Sequence, residues 1–196
     1  MSNLDKILNF IELIQKFRSI ERLVHVNGKD RNENDVEHSF SLAMLGWYIN
    51  DTEKLGLNLE KIIKYALIHD LVEVHAGDTF FYHKDSNMTA DKKEREERAA
   101  HKLRGEYPEF PELHSIMEKY EKREDKESKF VYALDKIEPV LNIYLDKGRS
   151  WRRDKVSMEM IKSKIQQVAS DGHISKIFSE LLSKLQREEK ELFNKE

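Results

Sequence analysis

Leu4, Ile7, Leu8, Ile11, Ile14, Phe17 and Ile20 recur at helical spacing with Lys6, Glu12, Gln15 and Lys16 between them, so the chain opens on an amphipathic helix. The stretch ERLVHVNGKDRNENDVEHS then supplies turn chemistry at Asn27, Gly28, Lys29, Asp30 and Asn32 to Asp35. Asp35 is placed to cap a second helix, which carries His38 on its first turn and runs through Phe40, Ala43, Met44 and Trp47 to about Asp51. Asn58 can cap a third helix. Its Leu59, Ile62, Ile63, Ala66, Leu67, Leu71 and Val74 form an apolar face wide enough for a central element, and Gly77 marks its end.

From Asp78 to Thr89 neither period is present. Phe80, Phe81 and Tyr82 predict local packing of aromatic rings on the domain, with a lid or pocket wall as the alternative. Ala90 to Gly105 is a charged helix with acids and bases set for i,i+4 pairs, read as a solvated face. Pro108 and Pro111 bracket a loop, and a short helix follows from about Glu112 to Lys122. A long helix spans Lys126 to Asp146 on a stripe of Phe130, Val131, Ala133, Leu134, Ile137, Leu141 and Tyr144, with Pro139 expected to kink it. Lys155 to Ala169 and Ile174 to Phe193 read as two closing helices separated by Asp171 and Gly172. No strand pattern or repeat emerges, so the expected class is all-α, in one domain over residues 1–196.

Composition narrows the function. The hydrophobic fraction of 39% is enough for a core, and the charged fraction of 36% implies heavily charged helix faces. The 34 lysines and arginines against 37 acids give a net charge of −3, without the basic excess of a nucleic-acid binder. The absence of cysteine rules out disulfides and thiolate metal sites. The segment MSNLDKILNF carries acids and does not resemble a signal peptide, and no apolar run approaches the roughly 18 residues of a membrane helix, so the expectation is a cytoplasmic protein without a membrane partner.

The chemistry concentrates in ALIHDLVEVHAGD, residues 66–78, where His69 and Asp70 stand side by side in an apolar run with Glu73 and Asp78 shortly after. An unpaired carboxylate in such a setting costs several kcal/mol, and a cation, a metal or a shifted pKa is the remedy. His38 and Asp135, the latter in YALDKIEP, sit in similar helical contexts. Singly, a buried histidine is more often a hydrogen-bonded core residue, and a helical aspartate more often a cap or an ion-pair partner. Together, two imidazoles and two carboxylates make an N2O2 set suited to a divalent transition ion such as manganese, cobalt, zinc, iron or nickel. Glu73, at i+4 from His69 and i+3 from Asp70, projects toward the same place.

The ordered set of His38 in NDVEHS, His69 and Asp70 in IHDLVEVHAGD, and Asp135 in ALDKIEP resembles the HD-domain metal-dependent phosphohydrolases. It looks most like the branch of 5′-deoxynucleotidases acting on nucleoside monophosphates, and the resemblance runs from about Leu4 to Trp151. It implies a helical HD bundle, with a motif core at about 35–140 and the helices of 154–193 packed on it. It implies His38, His69, Asp70 and Asp135 as metal ligands, Glu73 and Asp78 as catalytic acids, and a small nucleotide as substrate. That branch has an arginine near the end of the first helix and another before the first histidine. By this resemblance Arg31, in its RNEN context, matches the second as a phosphate contact and Arg22 is chosen for the first, although Arg18 is close and Leu23 stands where the branch has an aromatic. Members are often homodimers, and the apolar stripes of the last two helices can cover a partner copy as readily as the core. Two other readings remain: hydrolysis of a cyclic nucleotide, a nucleoside triphosphate or an alarmone, and a non-catalytic nucleotide-binding module.

Overall fold

The computed structural model describes residues 2–77, 86–166 and 172–193, except for the side chains of 86–90 and of 164 and 165. α1 (Asn3–Arg18) begins at Ser2, whose hydroxyl accepts from the Asp5 amide at 3.1 Å while the Asp5 carboxylate accepts from the Ser2 amide at 2.8 Å. Its Phe10, Leu13 and Phe17 pack into a small core with Leu71, Leu103, Tyr107, Leu113 and Met117.

A two-stranded antiparallel ribbon follows, β1 (Glu21–His25) and β2 (Asn32–Asn34), with Glu21 opposite Asn34 and His25 opposite Asn32. The sequence pattern predicted no strand. Of the ribbon's apolar residues only Val24 is buried, so no alternation marks it, and contacts with the rest of the molecule hold it: the His25 amide donates to Ser150 Oγ at 3.4 Å.

α2 (Asp35–Thr52) is capped by Asn34 and not by Asp35. Asn34 Oδ1 accepts from the Val36 and Glu37 amides at 3.1 and 3.0 Å, and the Glu37 carboxylate accepts from the Asn34 amide at 3.1 Å. Asp35 is thereby freed to turn its buried carboxylate inward. α3 (Leu59–Ile68) is capped by Asn58, as the sequence implies. Its close approach to α2 needs Gly46, where a Cβ would stand 2.8 Å from Ile62 Cγ2.

α3 stops at Ile68 instead of continuing through Val74. The Leu71 amide donates to Ile68 O at 3.0 Å and the Glu73 amide to Asp70 O at 2.8 Å, i→i−3 bonds that tighten the chain before a single turn, α4 (Glu73–Ala76). Gly77, at φ 75°, ends it.

α5 (Ser86–Glu106) buries only Ala99 and Leu103 among its described side chains and is otherwise a charged face, with pairs such as Arg98 to Glu94 at 3.2 Å. α6 (Pro111–Lys122) leads to α7 (Lys126–Leu145), which is capped by Asp125 and runs on through Pro139 without a break. α7 carries Phe130, Val131, Leu134, Ile137 and Val140 into the main core, where they meet Leu42, Ile62 and Ala66 of α2 and α3. The chain closes with α8 (Arg149–Arg153), α9 (Met158–Gln166), α10 (Ser175–Arg187) and α11 (Glu189–Phe193), so the last expected helix divides at Glu188. The architecture is an all-α bundle in which the ribbon is the minor exception. No helix among the described residues is long and apolar enough to cross a membrane.

Candidate metal centre

Three elements deliver one side-chain cluster. His38 comes from the first turns of α2, His69 and Asp70 from the tight turn after α3, and Asp135 from the middle of α7. One donor atom of each lies within 4.8 Å of the others, the spread expected around a single ion. His38 Nε2 is 3.1 Å from Asp135 Oδ1, and His69 Nε2 is 3.0 Å from Asp70 Oδ2 and 3.5 Å from Asp135 Oδ1.

The far nitrogen of each imidazole is already engaged. His69 Nδ1 donates to Ala66 O at 2.9 Å, and His38 Nδ1 donates to Glu138 Oε2 at 3.0 Å. These bonds fix both rings with Nε2 facing the aspartates, the orientation in which protein histidines hold metals. His69 Nε2 is buried and, despite its neighbours, makes no bond of hydrogen-bond geometry. An orphaned nitrogen aimed between two carboxylates fits a cation in the middle, and the two-imidazole, two-carboxylate donor set fits a divalent one.

The electrostatics agree. Burial and the Arg22 charge disfavour a protonated His38, but its bonds to Asp135 and Glu138 outweigh them and raise its pKa to about 9. Burial likewise opposes charge on His69, and the carboxylates of Asp70 and Asp135 overcome it, raising the pKa to about 10. Burial favours the neutral form of Asp70 and of Asp135, yet His69 and Arg22 hold the first low, and Lys136 and the two histidines hold the second low. Positive charge on the two imidazoles thus balances the two carboxylates, a balance that a divalent cation held by the same four side chains could also supply.

Around this set lies a second layer. Arg22 Nη1 is 2.8 Å from Asp70 Oδ2 and 3.2 Å from Asp35 Oδ1, and its Nε is 3.6 Å from Glu33 Oε1. Lys136 Nζ is 2.6 Å from Asp135 Oδ2. Glu73 is 3% exposed and offers an oxygen to a group with Asp35 and Asp70 beside the first cluster. Arg31 instead clamps Glu37 through two bonds of 2.6 and 2.8 Å on the surface. Asp78, Phe80, Phe81 and Tyr82 lie outside the described residues.

Sequence reasoning overlooked Glu33, Glu138 and Asn142. Glu138 Oε1 accepts from Asn142 Nδ2 at 2.7 Å, and the same amide reaches Glu33 Oε2 at 3.4 Å. Burial and the nearby Glu138 charge push the Glu33 carboxyl up to about 7. The available signal was Glu138 at i+3 from Asp135, on one face of α7 amid core residues.

The chain matches a model of the HD domain family over residues 14–192. A 77-residue stretch is 34% identical to a 5′-deoxynucleotidase, HDDC2, of Dictyostelium discoideum; it covers 36% of this chain and 40% of the length of that relative. The crystal structure of a predicted metal-dependent phosphohydrolase from Magnetospirillum magnetotacticum MS-1 superposes with a TM-score of 0.80 at 27% identity, over 95% of this chain and 94% of that one. A conserved hypothetical protein from Pyrococcus furiosus shares the fold, at a TM-score of 0.63 and 21% identity, over 92% of this chain and 99% of that one.

Proposed function

The chain belongs to the HD domain family, a metal-dependent phosphohydrolase by that membership and by its likeness to the Magnetospirillum protein, and we propose that within this class it is a 5′-nucleotidase releasing phosphate from nucleoside or deoxynucleoside 5′-monophosphates. The observation that carries the reading is the convergence of His38, His69, Asp70 and Asp135, with both Nδ1 atoms anchored and both Nε2 atoms turned to the aspartates. The run RNENDVEHS to HDLVEVHAGDTF and the partial likeness to the Dictyostelium 5′-deoxynucleotidase support the monophosphate substrate.

In this reading the four residues hold one divalent ion, of manganese, cobalt, zinc, iron or nickel. Bound there, such an ion would supply positive charge to the phosphoryl oxygens and would make water a better nucleophile at neutral pH. Glu73, buried beside Asp70, orients the attacking water and accepts its proton. Asp78 assists the departing 5′-oxygen. Arg22 offsets the phosphate charge, exchanging part of its pairing with Asp70 and Asp35 for a phosphate oxygen, and Arg31 extends the cationic approach.

The test is phosphate release from a panel of ribo- and deoxyribonucleoside 5′-monophosphates by metal-stripped protein resupplied with manganese, cobalt or zinc. Asp70→Ala is expected to lose both the ion and the activity. Glu73→Ala is expected to keep the ion and lose about 100- to 10,000-fold in rate. Tight metal binding without release from any monophosphate would move the assignment to another phosphoester. Full metal occupancy in Asp70→Ala would overturn the ligand set.

A further inference from the structure

Two tyrosines lie ring to ring beside the candidate metal centre. Tyr65 of α3 and Tyr120, on the last turn of α6, have ring centroids 5.8 Å apart, and the Tyr120 ring meets that of His69 edge to face, at 6.0 Å and 72°. Both are buried, at 2% and 7% exposure. Their hydroxyls differ. Tyr65 Oη donates to Asp125 Oδ2 at 2.9 Å, whereas the Tyr120 hydroxyl has no hydrogen-bond partner among the described residues.

A buried polar group without a partner calls for a reason, and packing does not supply one. A phenylalanine would fill the same space against His69 and Tyr65 and would not carry the cost of an unpaired hydroxyl. The surroundings show what the group can offer. Burial, and after it the charges of Asp135 and Asp70, hold the phenol pKa well above its ordinary value of 10, so the hydroxyl keeps its proton beside the two aspartates of the cluster. The Arg123 guanidinium, 3.8 Å over the Tyr132 ring, also acts on it. The cationic donors nearby are engaged with carboxylates, Arg22 with Asp70 and Asp35 and Lys136 with Asp135. Tyr120 breaks no bond within the protein to serve a ligand.

We propose that the Tyr120 hydroxyl is a substrate contact, donating to a non-bridging oxygen of the phosphoryl group received at the cluster. Phosphoryl oxygens carry lone pairs and accept what a phenol gives. A hydroxyl beside both Asp70 and Asp135 stands where a bound ion would gather those oxygens, and not where a sugar and base extend away from them. Being neutral, it adds a donor without competing for the two aspartates as a further lysine would. The inference rests on the phosphomonoester reading above for its substrate, and needs only that the cluster receive a phosphate.

Titration calorimetry of orthophosphate into the manganese-loaded protein reads this contact without hydrolysis. Tyr120→Phe should weaken orthophosphate binding about 10- to 100-fold, the range for one hydrogen bond to a charged group. It should lower kcat/KM for each hydrolysed monophosphate by a similar factor, whatever the base or sugar. Urea melts and cobalt affinity should stay at the wild-type values, because the lost hydroxyl has no partner in the described protein. Tyr65→Phe is the converse control. It gives up the bond to Asp125, so it should unfold at lower urea and bind orthophosphate as the wild type does. A wild type that binds no orthophosphate, or wild-type orthophosphate affinity in Tyr120→Phe, would overturn the assignment. So would a fall in kcat/KM without a fall in orthophosphate affinity, which would put the hydroxyl on the nucleoside. Lost cobalt affinity in Tyr120→Phe would also overturn it and make the residue a support for His69. If no monophosphate is hydrolysed, the nucleotidase reading fails alone, and weakened orthophosphate binding in Tyr120→Phe would still uphold the contact.

Discussion

Removing the Glu138 carboxylate should weaken metal binding without touching a proposed ligand. Its Oε2 accepts from His38 Nδ1 at 3.0 Å, its Oε1 accepts from Asn142 at 2.7 Å, and the residue is 3% exposed, so the imidazole is steered by an acceptor that cannot itself swing away. In Glu138→Ala the Nδ1 proton loses its partner, the ring gains rotational freedom and the other tautomer becomes accessible. Second-layer losses of this kind cost about 10- to 100-fold in metal affinity, or about 1.4–2.7 kcal/mol. Stability is the wrong readout, because two effects oppose each other. An unsatisfied buried N–H costs about 1–3 kcal/mol, while loss of the Glu138 charge relieves Glu33, whose carboxyl burial and that charge push up to about 7. The assay is competition between metal-stripped protein and a chromophoric chelator for cobalt or zinc. Glu138→Gln keeps the volume and an acceptor oxygen and should fall between wild type and Glu138→Ala. A Glu138→Ala protein with native circular dichroism and wild-type affinity would refute the positioning role, and with it the orientation of His38 as a reason to read the cluster as a metal site.

Two further predictions concern the frame that brings the site together. Gly46→Ala places a methyl 2.8 Å from Ile62 Cγ2, on a branched side chain with no free end to move, so it should destabilise the fold by about 1–3 kcal/mol in urea melts and lower metal affinity as α2 is pushed from α3. Asp125 caps α7 and also accepts from Lys61 at 2.8 Å and Tyr65 at 2.9 Å. Burial pushes its carboxyl up, but these bonds outweigh burial and lower the pKa from 3.8 to about 2. Because the folded value lies below the unfolded one, the cap's contribution is present above about pH 4 and is lost as the pH falls toward 2. Asp125→Ala should therefore cost about 1 kcal/mol in urea melts at pH 7 and much less at pH 2, and an equal cost at both would contradict the cap's role.

The helices and the four residues of the candidate cluster were legible in the sequence because both are written locally. Apolar residues at spacings of three and four locate α1, α2, α3 and α7, and polar residues inside those runs stand out against them. Pairings across the chain leave no such trace. Glu138 meets His38 100 residues away, and Arg22 meets Asp70 48 residues away. The one failure inside a strongly periodic segment is the most informative. The pattern runs unbroken from Leu59 to Val74, yet α3 ends at Ile68, because that single stripe serves two interiors. Ile62, Tyr65 and Ala66 belong to the main core with α7, while Leu71, Val72 and Val74 pack with Leu13 and Phe17 of α1. Ile68 touches both. A straight helix cannot aim one stripe at two cores, so the chain turns at the seam on i→i−3 bonds, and His69 and Asp70 are the residues at that turn. The polar pair thus sits where the apolar surfaces part, open to Asp135 on one side and to Arg22 and Asp35 on the other. Burying both cores and assembling the candidate cluster are the same structural event.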